Sequence, residues 1–253
     1  MRRTAVALAA AAIVVSGPAY AELQVRMPEV DYLELEFEHN GLVTFDGNKS
    51  SPLDHAQSYT NSIGYGVLPW WEIELEGEMA SGGGQHLDWT ATTMENTFQI
   101  TQPGEYFFNL GFFAEYSQST LQGQPSAITA GPIIQKEIND VFGFDTLHTL
   151  NVFLSRDVGH DATRQTGFQY AWQSLVLTHP LISPGVEFYG IIPDIAHAGS
   201  TAEQQHWVGP VLAGAVNFAP YGKVKYEVGY LFGLTPESGR NAIRWRLEYE
   251  LTF

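Results

Sequence analysis

Short stretches of alternating apolar and polar residues recur along most of this chain. Trp71, Ile73, Leu75, Gly77 and Met79 alternate with Glu72, Glu74, Glu76 and Glu78. A helix would scatter these glutamates around its circumference, whereas a strand puts them all on one face. The closing stretch does the same, with Ile243, Trp245, Leu247, Tyr249, Leu251 and Phe253 set against Arg244, Arg246, Glu248, Glu250 and Thr252. Near the start, Leu33, Leu35 and Phe37 alternate with Glu34, Glu36 and Glu38; further on, Val224, Tyr226, Val228, Tyr230 and Phe232 alternate with Lys223, Lys225, Glu227, Gly229 and Leu231. One face of each stretch is too polar for a sandwich core and the other too apolar for water. A transmembrane barrel accommodates both, with the apolar face against lipid and the charged face toward a watery lumen.

The pattern predicts an all-β protein, a transmembrane antiparallel β-barrel of about twelve strands, most near the roughly 9–11 residues that a tilted spanning strand needs. The predicted strands cover 31–39, 56–67, 70–80, 88–101, 105–117, 125–137, 145–156, 165–178, 182–192, 204–217, 221–233 and 241–253. Those over 125–137 and 204–217 alternate poorly and carry Pro132 and Pro210. The connections also alternate. Leu68-Pro69, 102–104, 138–144, 179–181 and 218–220 are fairly short and carry Pro or Gly, as tight turns do. Those at 40–55, 81–87, 118–124, 157–164, 193–203 and 233–240 are mostly longer and hydrophilic. Long extracellular loops with short periplasmic turns are the layout of an outer-membrane barrel, and an even strand count puts both barrel ends on the periplasmic side.

The first residues fit this location. Arg2 and Arg3 precede an apolar run from Ala5 to Val15, then Ser16-Gly17-Pro18 and the small-residue exit Ala19-Tyr20-Ala21. These are the three parts of a secretory signal peptide over 1–21, with the exported single domain over 22–253. The apolar run is too short to span a bilayer as a helix, which needs roughly 20 residues. The net charge of −16 argues against a nucleic-acid partner, since phosphates demand Lys/Arg patches. With no cysteine, an exported domain must be held by something other than disulfides, and a closed sheet supplies that. Phe253, at the end of an alternating strand, resembles the terminal signature read by barrel-insertion machinery.

Tyr65-Gly66-Val67-Leu68-Pro69-Trp70-Trp71-Glu72-Ile73 resembles a strand–turn–strand unit of the outer-membrane family named for the MetA pathway of phenol degradation. Glu95-Asn96-Thr97-Phe98-Gln99 and Phe112-Phe113-Ala114-Glu115-Tyr116 are similar in kind. The resemblance covers about residues 56–117. It implies a barrel that transports small or aromatic compounds, and it supplies no functional residues.

The candidate site is the charged inner face. Glu34, Glu36 and Glu38 lie on the first strand and Glu72, Glu74, Glu76 and Glu78 on the third. Closure of the barrel sets Arg244 and Arg246 of the last strand beside the first, with Lys223, Lys225 and Glu227 one strand further. Isolated charges in a dry interior cost several kcal/mol or more, so these are either wet or paired. A wet lumen selects by charge; a dry one is an ion-pair plug that conducts nothing.

Six histidines, His39, His55, His86, His160, His197 and His206, fall at or near predicted outer strand ends. None has metal-motif spacing, and the chemistry predicts no cofactor. The twelve-strand outer-membrane phospholipases carry a His-x-Ser pair, and no histidine here has Ser two residues later. The tryptophans, Trp207 among them, suit interface belts, while Phe107, Phe113, Phe153 and Tyr189 are candidates for inward aromatics. The expected function is an outer-membrane channel for small solutes bathed by lipid. The alternatives are a non-conducting structural or adhesion barrel and an outer-membrane hydrolase.

Overall fold

A computed structural model describes residues 23–252 apart from Arg164. The expected signal peptide over 1–21 and the terminal Phe253 lie outside the described residues. Twelve strands close into one antiparallel barrel: β1 (Glu34–Phe45), β2 (Gln57–Leu68), β3 (Trp71–Ser81), β4 (Asp88–Gln99), β5 (Asn109–Ser119), β6 (Ser126–Val141), β7 (Phe144–Val158), β8 (Thr166–Leu177), β9 (Ser183–Ile192), β10 (Gln205–Asn217), β11 (Lys223–Gly233) and β12 (Asn241–Thr252). Each strand pairs with its chain neighbours, and β1 pairs with β12 from Glu34↔Thr252 to Phe45↔Asn241. Closure removes every sheet edge, which is what a strand protein in lipid requires.

The outer face is apolar. Phe37, Ile63, Leu75, Met94, Phe112, Leu154, Leu212, Val228 and Leu247 all stand exposed on it, Leu75 at 55%. An apolar surface on this scale would aggregate in water, and it is the ordinary contact of a barrel with lipid. Trp70 and Trp71 stack on Phe98 near the short-turn end, a local part of an aromatic girdle.

The structure differs from the sequence reading at several points. β1 continues to Phe45 instead of ending at residue 39. Asn40-Gly41 looks like a turn, but Asn40 points inward and its Nδ2 donates to Glu38 at 2.6 Å and to Thr60 at 3.1 Å, so its polarity is satisfied within the wall. The turn expected at 102–104 spans 100–108, and β5 begins at Asn109. The turn expected at 138–144 shrinks to 142–143, where Phe142 and Gly143 both have positive φ. Pro132 and Pro210 do not break their strands. Each faces outward, and the ladder lapses on one side only, between β6 and β7 and between β10 and β11. A residue without an N–H costs a bond on one side and leaves the other intact.

Inside, the barrel is full. Arg244, Glu187, Glu248, Gln173, Asn151 and Tyr189 are each at most 2% exposed. An apolar cluster of Leu42, Ala171, Tyr189, Ile191, Trp207, Leu231 and Ala242 occupies the part of the lumen toward the long loops, and Leu23 and Val25 complete it. Those last two belong to no strand. The segment before β1 enters the barrel from the short-turn side.

Candidate functional site

Alternation along β1, β3, β11 and β12 puts Glu34, Glu36, Glu38, Glu72, Glu74, Glu76, Glu78, Lys223, Lys225, Glu227, Arg244 and Arg246 on the inward face, opposite Phe37, Leu75, Val228 and Leu247. Pairing brings the β1, β11 and β12 groups together. Glu38 lies opposite Glu248, and Glu248 opposite Lys225; Arg246 lies opposite Glu227. The inward face of the last strand therefore carries both signs of charge. Its own Glu248 and Glu250 follow Arg244 and Arg246 along the same face and close a mixed network.

Within that network Lys225 Nζ donates to Glu248 at 2.9 Å and also pairs with Glu250, while Lys223 meets Glu250 at 2.9 Å. Arg246 bonds Glu38 and meets Glu248 at 2.5 Å. Arg244 reaches furthest. Its Nε donates to Glu187 of β9 at 2.7 Å, its Nη2 donates to the same carboxylate, and Nη2 also meets Glu227 at 2.8 Å. The bare Cα of Gly229 permits this crossing, because a Cβ there would lie 2.2 Å from Glu187 Oε1. Tyr189 Oη donates to Glu187 at 3.0 Å, so the carboxylate is enclosed on several sides. Charge-assisted, multiply bonded pairs of this kind are the form in which buried charge is tolerated.

The acidic side is denser. Glu74, Glu95 and Glu115 sit directly opposite one another on β3, β4 and β5. The carboxylates of Glu36, Glu72 and Glu74 approach within 4.8 Å of one another, as do those of Glu36, Glu248 and Glu250. Like charges in register repel, so this wall asks for cations.

One cation comes from the entering segment. Leu23–Val30 runs through the lumen without joining the sheet and bends at Pro28; eight residues reach at most about 29 Å even when fully extended. Gln99 of β4 accepts from the Val30 N–H at 2.9 Å, and Asn109 Nδ2 donates to Glu29 at 3.4 Å. Pro28 rests on Gly111, whose absent Cβ would lie 2.9 Å from it. Asn151 clamps the Arg26 backbone in both directions, accepting from its N–H at 2.7 Å and donating to its carbonyl at 2.9 Å. The Arg26 guanidinium pairs with Glu95 through both nitrogens, Nη2 to Oε1 at 2.6 Å, and lies 4.3 Å from the centroid of the Phe113 ring. Gln24 Nε2 donates to Glu38 at 2.8 Å, tying the segment to the opposite wall.

Sequence reasoning had no place for Arg26, Glu95, Asn151 or Glu187. Glu95 stands on the polar phase of an alternating strand and is open to the same reading as Glu74, whereas Glu187 shares its phase with Tyr189 and Ile191; in the segment 23–30 the alternation of Leu23, Val25 and Met27 with Gln24 and Arg26 is too short to name a spanning strand. Phe113, Phe153 and Tyr189 do point inward, with Phe113 and Phe153 5.0 Å apart. Phe107 does not. It is 70% exposed in the 100–108 turn, beneath the Lys136 ammonium. Trp207 is no belt residue either: it is 5% exposed in the lumen, and its Nε1 donates to the Ser238 carbonyl at 3.0 Å.

The histidines are dispersed. His39 lies mid-strand on β1 and faces outward, its Nδ1 3.0 Å from Asn61 Oδ1, instead of at an outer strand end. His55, His160 and His197 pair with neighbouring aspartates at 3.1, 3.2 and 2.9 Å on exposed loops. The hydrogen bond from His197 holds the Asp194 carboxyl below its ordinary range. Among the described residues no histidine joins a cluster that could hold a metal. The His206 ring meets Tyr170 at 3.1 Å and Gln204 at 2.9 Å, while the Ser238 hydroxyl bonds the His206 backbone and not its imidazole.

No protein-family model matches this chain, and no curated protein matches it. Two solved structures similar to it are described as outer-membrane proteins. One is described as a bacterial polysaccharide outer membrane secretin, 7% identical, with 90% of this chain and all of that chain covered and a TM-score of 0.39. Another is in-vitro folded OmpT, an outer membrane protein of Vibrio cholerae in trimer form, 8% identical, with 85% of this chain and 98% of that chain covered and a TM-score of 0.25.

Proposed function

We propose that this protein is an outer-membrane channel for small solutes, closed at rest by its own N-terminal segment. What carries the reading is that Leu23–Val30 fills the lumen without belonging to the sheet: every hydrogen bond described for it runs to a wall side chain, not to a strand backbone. A closure of that kind separates from the barrel without breaking the ladder. Behind it stand carboxylates of β3 to β5 and apolar side chains such as Tyr189, Leu231, Phe113 and Phe153, which suits solutes with a cationic head and an aromatic or hydrophobic body. The loose resemblance to the MetA-pathway family agrees with such a body. The bacterial outer membrane is the location, reached by export with removal of residues 1–21 and by insertion in which the machinery reads Phe253 after the last strand.

A specific observation favours a second reading. The ion pairs of Arg244, Arg246 and Lys225 form a self-contained network, as expected of a sealed structural barrel. Conductance in planar bilayers separates the two. The full exported chain should show rare openings, and a chain lacking residues 23–30 should conduct steadily with a preference for cations. A deleted chain that folds, resists unheated SDS and passes no current would establish the sealed barrel instead.

A further inference from the structure

Arg26 occupies a pocket whose walls all belong to the barrel. Glu95 offers both carboxylate oxygens in one plane and is 2% exposed; Phe113 offers a ring face and is 1% exposed. Phe113 is itself held by Phe153 and Ile133, so the ring does not depend on Arg26 for its position. Glu74 and Glu115 flank Glu95 in register, so three carboxylates stand in a row along this wall. A bidentate carboxylate beside an aromatic face is a receptor for a planar or alkylated cation, and the pair is more selective than either part. The group that fills it hangs on an element outside the sheet, fixed by the Asn151 clamp.

We propose that Glu95 and Phe113 form a binding site for a small organic cation bearing a guanidinium or ammonium head, and that Arg26 is a built-in occupant that the solute replaces when the segment withdraws. This rests on the channel reading only in that a solute must reach the site. The apolar surface that receives Leu23 and Val25 then receives the body of the solute. The segment would thus be a covalently attached mimic of what the barrel admits, an apolar pair followed by a cation.

Binding and conduction test the two ideas separately. In the full chain, Arg26→Ala empties the pocket while leaving the Asn151 clamp on the backbone. Agmatine, which carries both a guanidinium and an ammonium, should bind this variant in detergent by calorimetry at millimolar or lower concentration. It should bind the unaltered chain at least tenfold more weakly. Adding Glu95→Gln or Phe113→Leu to Arg26→Ala should weaken binding at least tenfold, whereas Glu237→Gln on the exposed loop between β11 and β12 should leave it unchanged. Agmatine that fails to bind Arg26→Ala, or binds it equally with and without Glu95 and Phe113, overturns the site. In bilayers, agmatine should block the potassium current of the chain lacking residues 23–30, and Glu95→Gln should relieve the block. A conducting barrel that agmatine blocks equally well without Glu95 also overturns the site. A folded barrel that binds agmatine and never conducts overturns the channel reading alone.

Discussion

Replacing Arg244 by Met asks whether the lumen beside β12 is dry. The arginine is 2% exposed and its partners Glu187 and Glu227 are 0% and 7% exposed. Met keeps much of the side-chain volume and removes the charge, leaving two carboxylates of which Glu187 has no water contact. Two unit charges about 4 Å apart interact by about 4 kcal/mol at an effective dielectric of about 20. Removing one partner of a buried pair costs about 3–5 kcal/mol, whereas an exposed pair contributes at most about 1 kcal/mol. The structure therefore predicts a loss near the upper range for Arg244→Met. Arg244→Met combined with Glu187→Gln should lose less than the sum of the single changes, because the second removes a charge that the first left unpaired. Reversible urea unfolding in phospholipid vesicles, followed by tryptophan fluorescence and by mobility in unheated SDS gels, measures all three variants. A loss under about 1 kcal/mol for Arg244→Met, with no coupling to Glu187, would mean that water reaches these groups, and the filled-lumen account would fail.

Other outcomes follow from the same structure. Leu75→Arg, in the middle of β3 on the lipid face, should cost about 2–4 kcal/mol in vesicle unfolding, and Glu74→Gln on the inner face should cost far less; the reverse order would mean the two faces are exchanged. Trp207→Ala removes a buried ring from the apolar cluster and should destabilise by about 3–5 kcal/mol in the same assay, unlike an exposed belt tryptophan such as Trp70. Asn151→Ala frees the Arg26 backbone, so amide exchange at residues 24–30 should quicken by at least tenfold while β3 and β12 stay protected. Deleting Phe253 should reduce the amount of folded barrel recovered from the outer membrane, as judged by heat-modifiable mobility; normal accumulation would remove the terminal residue from the insertion signal.

Much of this protein is written in local pattern. A strand sends alternate residues to opposite sides, so Glu72 to Glu78 against Ile73 to Met79 is enough to name a two-faced strand and say which face meets lipid. Repetition of that pattern with alternating short and long connections leads to a closed barrel of about twelve strands, and closure brings Arg246 to Glu38, while Arg244, expected beside the same glutamates, lies opposite Leu42 and turns to Glu187 and Glu227. Where local pattern misled, a tertiary contact had overruled it: Asn40 is carried into β1 by partners on its own strand and on β2, and Trp207 is drawn inward by the loop that offers the Ser238 carbonyl. What fills the barrel was decided by the tertiary structure. Arg244 and Glu187 are 57 residues apart, and Arg26 and Glu95 are 69 apart. Such meetings depend on register, on gaps such as Gly229 and on the width of the closed sheet. In Leu23–Val30 a period of two runs only from Leu23 to Met27 before Pro28 breaks it, too short to name a spanning strand, and its polar side chains meet different walls of the lumen, Gln24 at Glu38 of β1 and Arg26 at Glu95 of β4.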